Sequence, residues 1–107
     1  MQQSQLFLGW TTVATREDAL QLSRRVLEEN LAVCSQVDGP IVSVYRWEGR
    51  IEEAEEYRIT LKALGRNLAA LEDLVLRLHP YDTPEWVAVP VTIAAEKYLN
   101  WAERSSS

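Results

Sequence analysis

An α+β fold with an antiparallel sheet, in the chain order βαββαβ followed by a short carboxyl-terminal helix, is what these 107 residues point to. Two segments carry apolar side chains at helical spacing, and four others are alternating or β-branched and aromatic. The two kinds are interleaved as β, α, ββ, α, β rather than in strict alternation, which is the order of a split βαβ unit. The length fits one domain, 1–107, with residues 1–4 and 104–107 expected to fray.

Leu6, Leu8 and Trp10 alternate with Phe7, Gly9 and Thr11, and because both sets are largely apolar the first strand should be central and covered on two sides. Thr15 followed by Asp18 resembles a capping box with Asp in place of Glu, opening a helix through Ala19, Leu22, Val26 and Leu27 that should end near Asn30. Strand character returns from Val33 to Trp47, broken at Asp38-Gly39-Pro40, where a bend or bulge is expected since Pro40 has no N–H for a ladder. Glu48-Gly49 reads as a hairpin turn. The return strand places Tyr57, Ile59, Leu61 and Ala63 on one face and Arg58, Thr60 and Lys62 on the other.

Gly65-Arg66-Asn67 breaks that pattern, and Leu68, Leu71, Leu74, Val75 and Leu78 restart it as a second helix stopped by His79-Pro80. Beyond the loop closed by Pro84, Val87, Val89, Val91 and Ile93 alternate as a fourth strand, which Pro90 consigns to an edge or a bulge. Tyr98 and Trp101, three residues apart, mark the last helix. The chain order is that of ferredoxin-like domains, with both main helices on one face of the sheet, and it does not by itself specify a function.

Composition narrows the function. Hydrophobic residues at 47% and charged residues at 25% describe an ordinary globular chain rather than a disordered one. A net charge of −5 argues against nucleic acid and anionic membrane as partners and favours cations. Cys34 is the single cysteine, so there is no intrachain disulfide and no paired-cysteine zinc motif. With no basic leader and no long apolar span, the expected location is cytoplasmic.

Four motifs exceed what strand and helix propensity require: the Tyr45-x-Trp47-x-Gly49 hairpin, the Leu31-Ala32-x-Cys34 opening of the second strand, the His79-Pro80-Tyr81-x-x-Pro84-Glu85 loop, and the Tyr98-x-x-Trp101 tail. In these the sequence resembles the CutA family of divalent-cation tolerance proteins, from about Leu6 to Trp101. The resemblance implies a homotrimer similar in architecture to PII signalling proteins, and a part in tolerance of copper and other divalent ions. Some bacterial members bind copper through a cysteine at the end of the first strand and histidines before the Pro-Tyr pair. Here Trp10 stands at the cysteine position and Leu78 at that of one histidine, so His79 is left alone.

His79, the only histidine, offers an imidazole to a metal or a proton; its alternative role is to satisfy carbonyls at a helix terminus. Glu85 is its candidate partner, as a second ligand or as half of an acid-base pair in an enzyme. Lys62, Tyr81, Glu85 and Trp47 are candidates for a ligand cleft, and Tyr45, Trp47, Ile51, Tyr98 and Trp101 for a trimer interface, where aromatic side chains bury large areas. Glu48, Glu52, Glu53, Glu55 and Glu56 give the hairpin a negative field that attracts divalent ions loosely or serves as a solvated, aggregation-resistant surface. The leading expectation is a non-enzymatic trimer binding a divalent metal, copper included, or a small ligand between subunits. The rivals are an enzyme using His79 and Glu85, and a scaffold for a protein partner. One imidazole per chain implies only weak copper(II) binding, dependent on His79.

Overall fold

The structure is a computed structural model and describes residues 3–106. Its elements are β1 (Leu6–Val13), α1 (Arg16–Glu28), β2 (Cys34–Trp47), β3 (Arg50–Leu64), α2 (Gly65–Leu78), β4 (Val87–Pro90) and α3 (Glu96–Ser105). The four strands form one antiparallel sheet in the order β2-β3-β1-β4. β1 is central, as its two apolar faces required. Phe7, Gly9, Thr11 and Val13 lie opposite Ala63, Leu61, Ile59 and Tyr57 on one face; Leu6, Leu8 and Trp10 lie opposite Leu64, Lys62 and Thr60 on the other.

The first face is covered by α1 and α2 together. Ala19, Leu22 and Val26 from α1 and Leu71, Leu74 and Val75 from α2 share one buried cluster with Val13, Ile59, Leu61 and Ala63. Removing one such Leu or Ile side chain from water is worth about 1.5–3 kcal/mol. α1 begins as its capping residues dictate, the Thr15 hydroxyl accepting the Asp18 N–H at 3.0 Å. It stops at Glu28, two residues short of Asn30, which turns the chain at a φ of 59°. On the opposite face α3 builds a smaller cluster, with Ala102, Tyr98 and Leu99 against Leu6 and Leu64.

Three boundaries differ from the sequence reading, each for a physical reason. α2 starts at Gly65, so the Gly65-Arg66-Asn67 interruption is its first turn. The orphan N–H groups of that turn are satisfied from outside the helix, Gly65 donating to the Gln5 carbonyl at 2.8 Å and Arg66 to that of Gln3 at 3.1 Å. β4 ends at Pro90, three residues early, because the proline ring ends the ladder to β1 and only the Val91 N–H reaches back, to the Leu6 carbonyl at 2.9 Å. α3 runs through Arg104 and Ser105, where fraying was expected; its last turn is held by buried Ala102 and by the Arg66–Glu103 ion pair at 2.9 Å. Residues 1, 2 and 107, at the ends also expected to fray, lie outside the described residues.

The bend in β2 is a bulge. Asp38 is opposite Arg58 but Ile41 is opposite Glu56, so three steps along β2 match two along β3. Gly39 sits there at a φ of 151°, and a Cβ on it would come within 2.7 Å of the Tyr57 ring. The hairpin closes at Glu48 and Gly49 with φ of 49° and 79°, the two positive values of a type I′ turn.

The core holds one defect. Thr11 is fully buried on the helix-covered face, and among the described residues its Oγ1 has no hydrogen-bond partner. Thr11→Val keeps the shape and removes the stranded hydroxyl, so it should raise stability by about 1–2 kcal/mol. Thermal and urea unfolding check this, and a destabilised variant would mean that the hydroxyl is solvated.

Candidate functional site

β1 ends at Val13, opposite Tyr57, whereas the β2–β3 hairpin continues through seven further pairs, 41–47 with 50–56. The chain after α2 fills the step so formed. His79, 8% exposed, lies there with both ring nitrogens engaged: Nε2 is 2.8 Å from the Thr12 carbonyl, and Nδ1 accepts the Tyr81 N–H at 3.1 Å. A carbonyl only accepts and an amide N–H only donates, so the ring is the neutral tautomer with its proton on Nε2. The imidazole thereby pins the loop to the end of β1, and the Tyr81 ring rests against it with 4.8 Å between centroids.

Held in this way, the Tyr81 hydroxyl donates to Glu56 Oε2 at 2.9 Å. Glu56 is only 9% exposed. Burial, and secondarily this hydrogen bond, push the Tyr81 phenol up from 10.0 to about 12. Around the pair opens a cleft of about 450 Å³, whose wall carries Tyr45, Trp47, Glu56, Tyr81, Asp82 and Glu85. The bulge and the turn set its aromatic side, because Tyr45 and Trp47 are opposite Glu52 and Arg50 and so share the face of Glu56. The lining includes three carboxylates and no lysine or arginine.

Of the cleft residues expected from sequence, the structure brings together Trp47, Tyr81 and Glu85. It does not bring Lys62, which stands six residues, about 20 Å, further along β3, its ammonium 5.5 Å from the Tyr98 ring centre. Nor does it pair His79 with Glu85, because both imidazole nitrogens have other partners while Glu85 is exposed at the cleft. The His79–Glu85 acid-base pair is therefore not formed. A metal reaches His79 only by displacing the Tyr81 N–H from Nδ1, and among the described residues no three His, Cys, Asp or Glu side chains converge as a metal centre. Tyr45, Trp47 and Ile51 are exposed on the hairpin arm, while Tyr98 and Trp101 lie together on α3, 5.4 Å between ring centres.

Sequence reasoning missed Glu56, Tyr45 and Asp82 as cleft residues. The signal for two of them was present: counting back from the Glu48-Gly49 turn opposes Tyr45 and Glu52, and Glu56 has the parity of Glu52. Asp82 gave none, since its place depends on the path of a loop.

Residues 7–105 match the family described as CutA1 divalent ion tolerance protein. The chain belongs to the CutA1 family. Its relatives in that family include the chloroplastic protein CutA of Arabidopsis thaliana, 35% identical over 97 residues, covering 91% of this chain and 53% of that protein. They also include the divalent-cation tolerance protein CutA of Thermus thermophilus, 33% identical over 95 residues, 89% of this chain and 92% of that one. The chain thus spans about half the length of the Arabidopsis relative, and 54% of the human protein CutA. Among solved structures, CutA1 from Ehrlichia chaffeensis superposes with a TM-score of 0.92 at 32% identity, covering 96% of both chains. The periplasmic divalent cation tolerance protein CutA of Archaeoglobus fulgidus does so at 0.91 and 30%, covering 95% of this chain and 99% of that one. The CutA1 family is named for tolerance of divalent ions and not for a reaction. Among the described residues no helix is long and apolar enough to cross a membrane.

The Tyr81 phenol gives a direct check on the cleft. Its pKa is higher in the folded than in the unfolded protein, so its contribution to stability is complete below pH 10 and is lost as the pH rises through about 12. The ultraviolet tyrosinate titration of the wild type minus that of Tyr81→Phe should isolate a step near pH 12, shifted down in Glu56→Gln. A step at the ordinary tyrosine value in the wild type would show that the phenol is solvated and the pair broken.

Proposed function

We propose that the chain acts in divalent-cation tolerance as a cytoplasmic homotrimer of ferredoxin-like subunits, similar in architecture to PII proteins, with its ligand clefts between subunits. The observation that carries this reading is the outer arm of the hairpin. Seven residue pairs extend about 23 Å past the end of β1, in a molecule 44 Å long and only 26 by 22 Å across. Val42, Val44 and Ile51 are 65%, 62% and 69% exposed along it, and Tyr45 and Trp47 are exposed on its other face. A two-stranded ribbon with large exposed apolar side chains on both faces, and an unpaired edge where β1 stops, is a surface that pairing with neighbouring subunits would cover. A ring of three closes such pairing without leaving an open end. The sheet order β2-β3-β1-β4, with α1 and α2 sharing one core, supports the ferredoxin-like part of the reading.

The cleft opens against that arm, so a neighbour seated on the arm supplies its remaining wall. Divalent metal, copper included, enters as a weak ligand. Glu85 is accessible to it, but the lone pair on His79 Nδ1 is already taken. The enzyme alternative has no supporting contact, and a scaffold for a protein partner would use the same exposed arm. Cys34, a thiol half-buried in β2, fits a reducing compartment.

Two measurements test the proposal. Sedimentation equilibrium at micromolar concentration should return three times 12.2 kDa, or 36.6 kDa, and a persistent monomer would refute the trimer. Competition titration of copper(II) against a chelator of known affinity should give micromolar or weaker binding; tight stoichiometric uptake would mean that assembly builds a metal centre absent from the single subunit.

A further inference from the structure

Resting on the reading of the Tyr45–Glu85 cleft as a ligand site, we infer that its ligand is an organic cation, an alkylammonium or guanidinium group, rather than a bare metal ion. Charge is the first argument. Glu56 is a nine-tenths buried carboxylate in the cleft wall with no cationic partner among the described residues. One oxygen receives the Tyr81 hydroxyl, and Oε1 receives no hydrogen bond from any described group. Oε1 is not among the fully buried polar atoms left without a partner, so it opens to the cleft, where a cation can complete the carboxylate. Asp82 and Glu85 add to the negative potential, and no basic side chain in the lining opposes it.

Size and surface decide which cation. About 450 Å³ is far more than a dehydrated metal ion fills, and the lining does not gather three metal-ligating side chains at one point. A hard divalent ion needs six or more oxygens at short range, and a softer one needs nitrogen or sulfur donors. The wall instead offers Trp47, Tyr45 and the ring of Tyr81 beside the carboxylates. Aromatic faces with an acidic floor are the surroundings that stabilise a positive group carrying hydrocarbon, whose charge meets the rings and whose methylene groups lose water against them.

The test uses isothermal titration of the full-length protein with n-butyltrimethylammonium chloride and, as a neutral counterpart, N-butylacetamide. The cation should bind at least tenfold more tightly than the amide. Glu56→Gln and Trp47→Leu should each weaken the cation at least tenfold without changing the amide, and Glu85→Gln, an exposed position, should weaken it less. Each variant is first shown to melt cooperatively, and Glu85→Gln keeps the test open if Glu56→Gln does not fold. Magnesium chloride at matched ionic strength should compete no better than sodium chloride. Equal affinity for amide and cation, indifference to all three substitutions, or displacement by magnesium at low concentration would overturn the inference. Sedimentation of the same samples separates the two readings: a trimer that ignores the cation overturns this one alone, and a monomer that binds it overturns only the trimer.

Discussion

β3 is 15 residues long while β1, its neighbour at the centre of the sheet, has 8, so the sheet is four strands wide at one end and two at the other. The wide end is where a small domain can bury side chains: two helices lie on one face, a third on the other, and both clusters meet β1 and β3. The narrow end has no helix to lie under and so cannot hide its apolar residues within its own chain. The step between the two ends is a concave corner with backbone carbonyls at its edge, and the loop after α2 lies in it. Cleft, arm and loop are thus three results of one difference in strand length.

Within that corner the single histidine works as a fastening. Its two nitrogens join a strand terminus to a loop, one by giving a proton and the other by receiving one, which an apolar residue of similar size would not reproduce. The fastening sets the depth of Tyr81, and Tyr81 in turn supplies the one hydrogen bond that the described residues place on the Glu56 carboxylate. The order of dependence runs from Thr12 through His79 and Tyr81 to Glu56, so the acidic side of the cleft is placed by the end of the central strand. Nothing in this chain of contacts calls for a metal.

Most of the fold was legible because it is written in short-range pattern. Thr15 and Asp18 cap α1, Glu48-Gly49 turns the hairpin, and Asp38-Gly39-Pro40 breaks β2, each by local stereochemistry that a few residues suffice to express. Two of the boundaries that slipped depend on partners far along the chain: Gly65 begins a helix because Gln5 and Gln3 accept its first N–H groups, and α3 runs on because Arg66 pairs with Glu103. The site was half legible for the same reason. Trp47, Tyr81 and Glu85 stood out by residue type and do line one cleft, but Lys62 was grouped with them by face parity alone, and parity does not measure distance along a strand. His79 drew attention by rarity, whereas its role depends on a carbonyl 67 positions away.

The bulge at Asp38–Ile41 has a meaning beyond the bend it makes. Side chains on a strand have a phase, and inserting one residue inverts it for everything downstream. Ahead of the bulge the even-numbered positions of β2, Cys34, Gln36 and Asp38, share the face of Lys62, Thr60 and Arg58; beyond it the odd-numbered ones, Tyr45 and Trp47, take that side. Were the pairing of Asp38 with Arg58 carried on one for one, Val44 and Arg46 would take the places opposite Glu52 and Arg50, and a valine and a guanidinium would replace the two aromatic rings on the side of Glu56. The composition of the hairpin would be unchanged, yet its recognition chemistry would be different. What the cleft can bind is therefore encoded less in which residues the arm contains than in the register at which they meet the return strand.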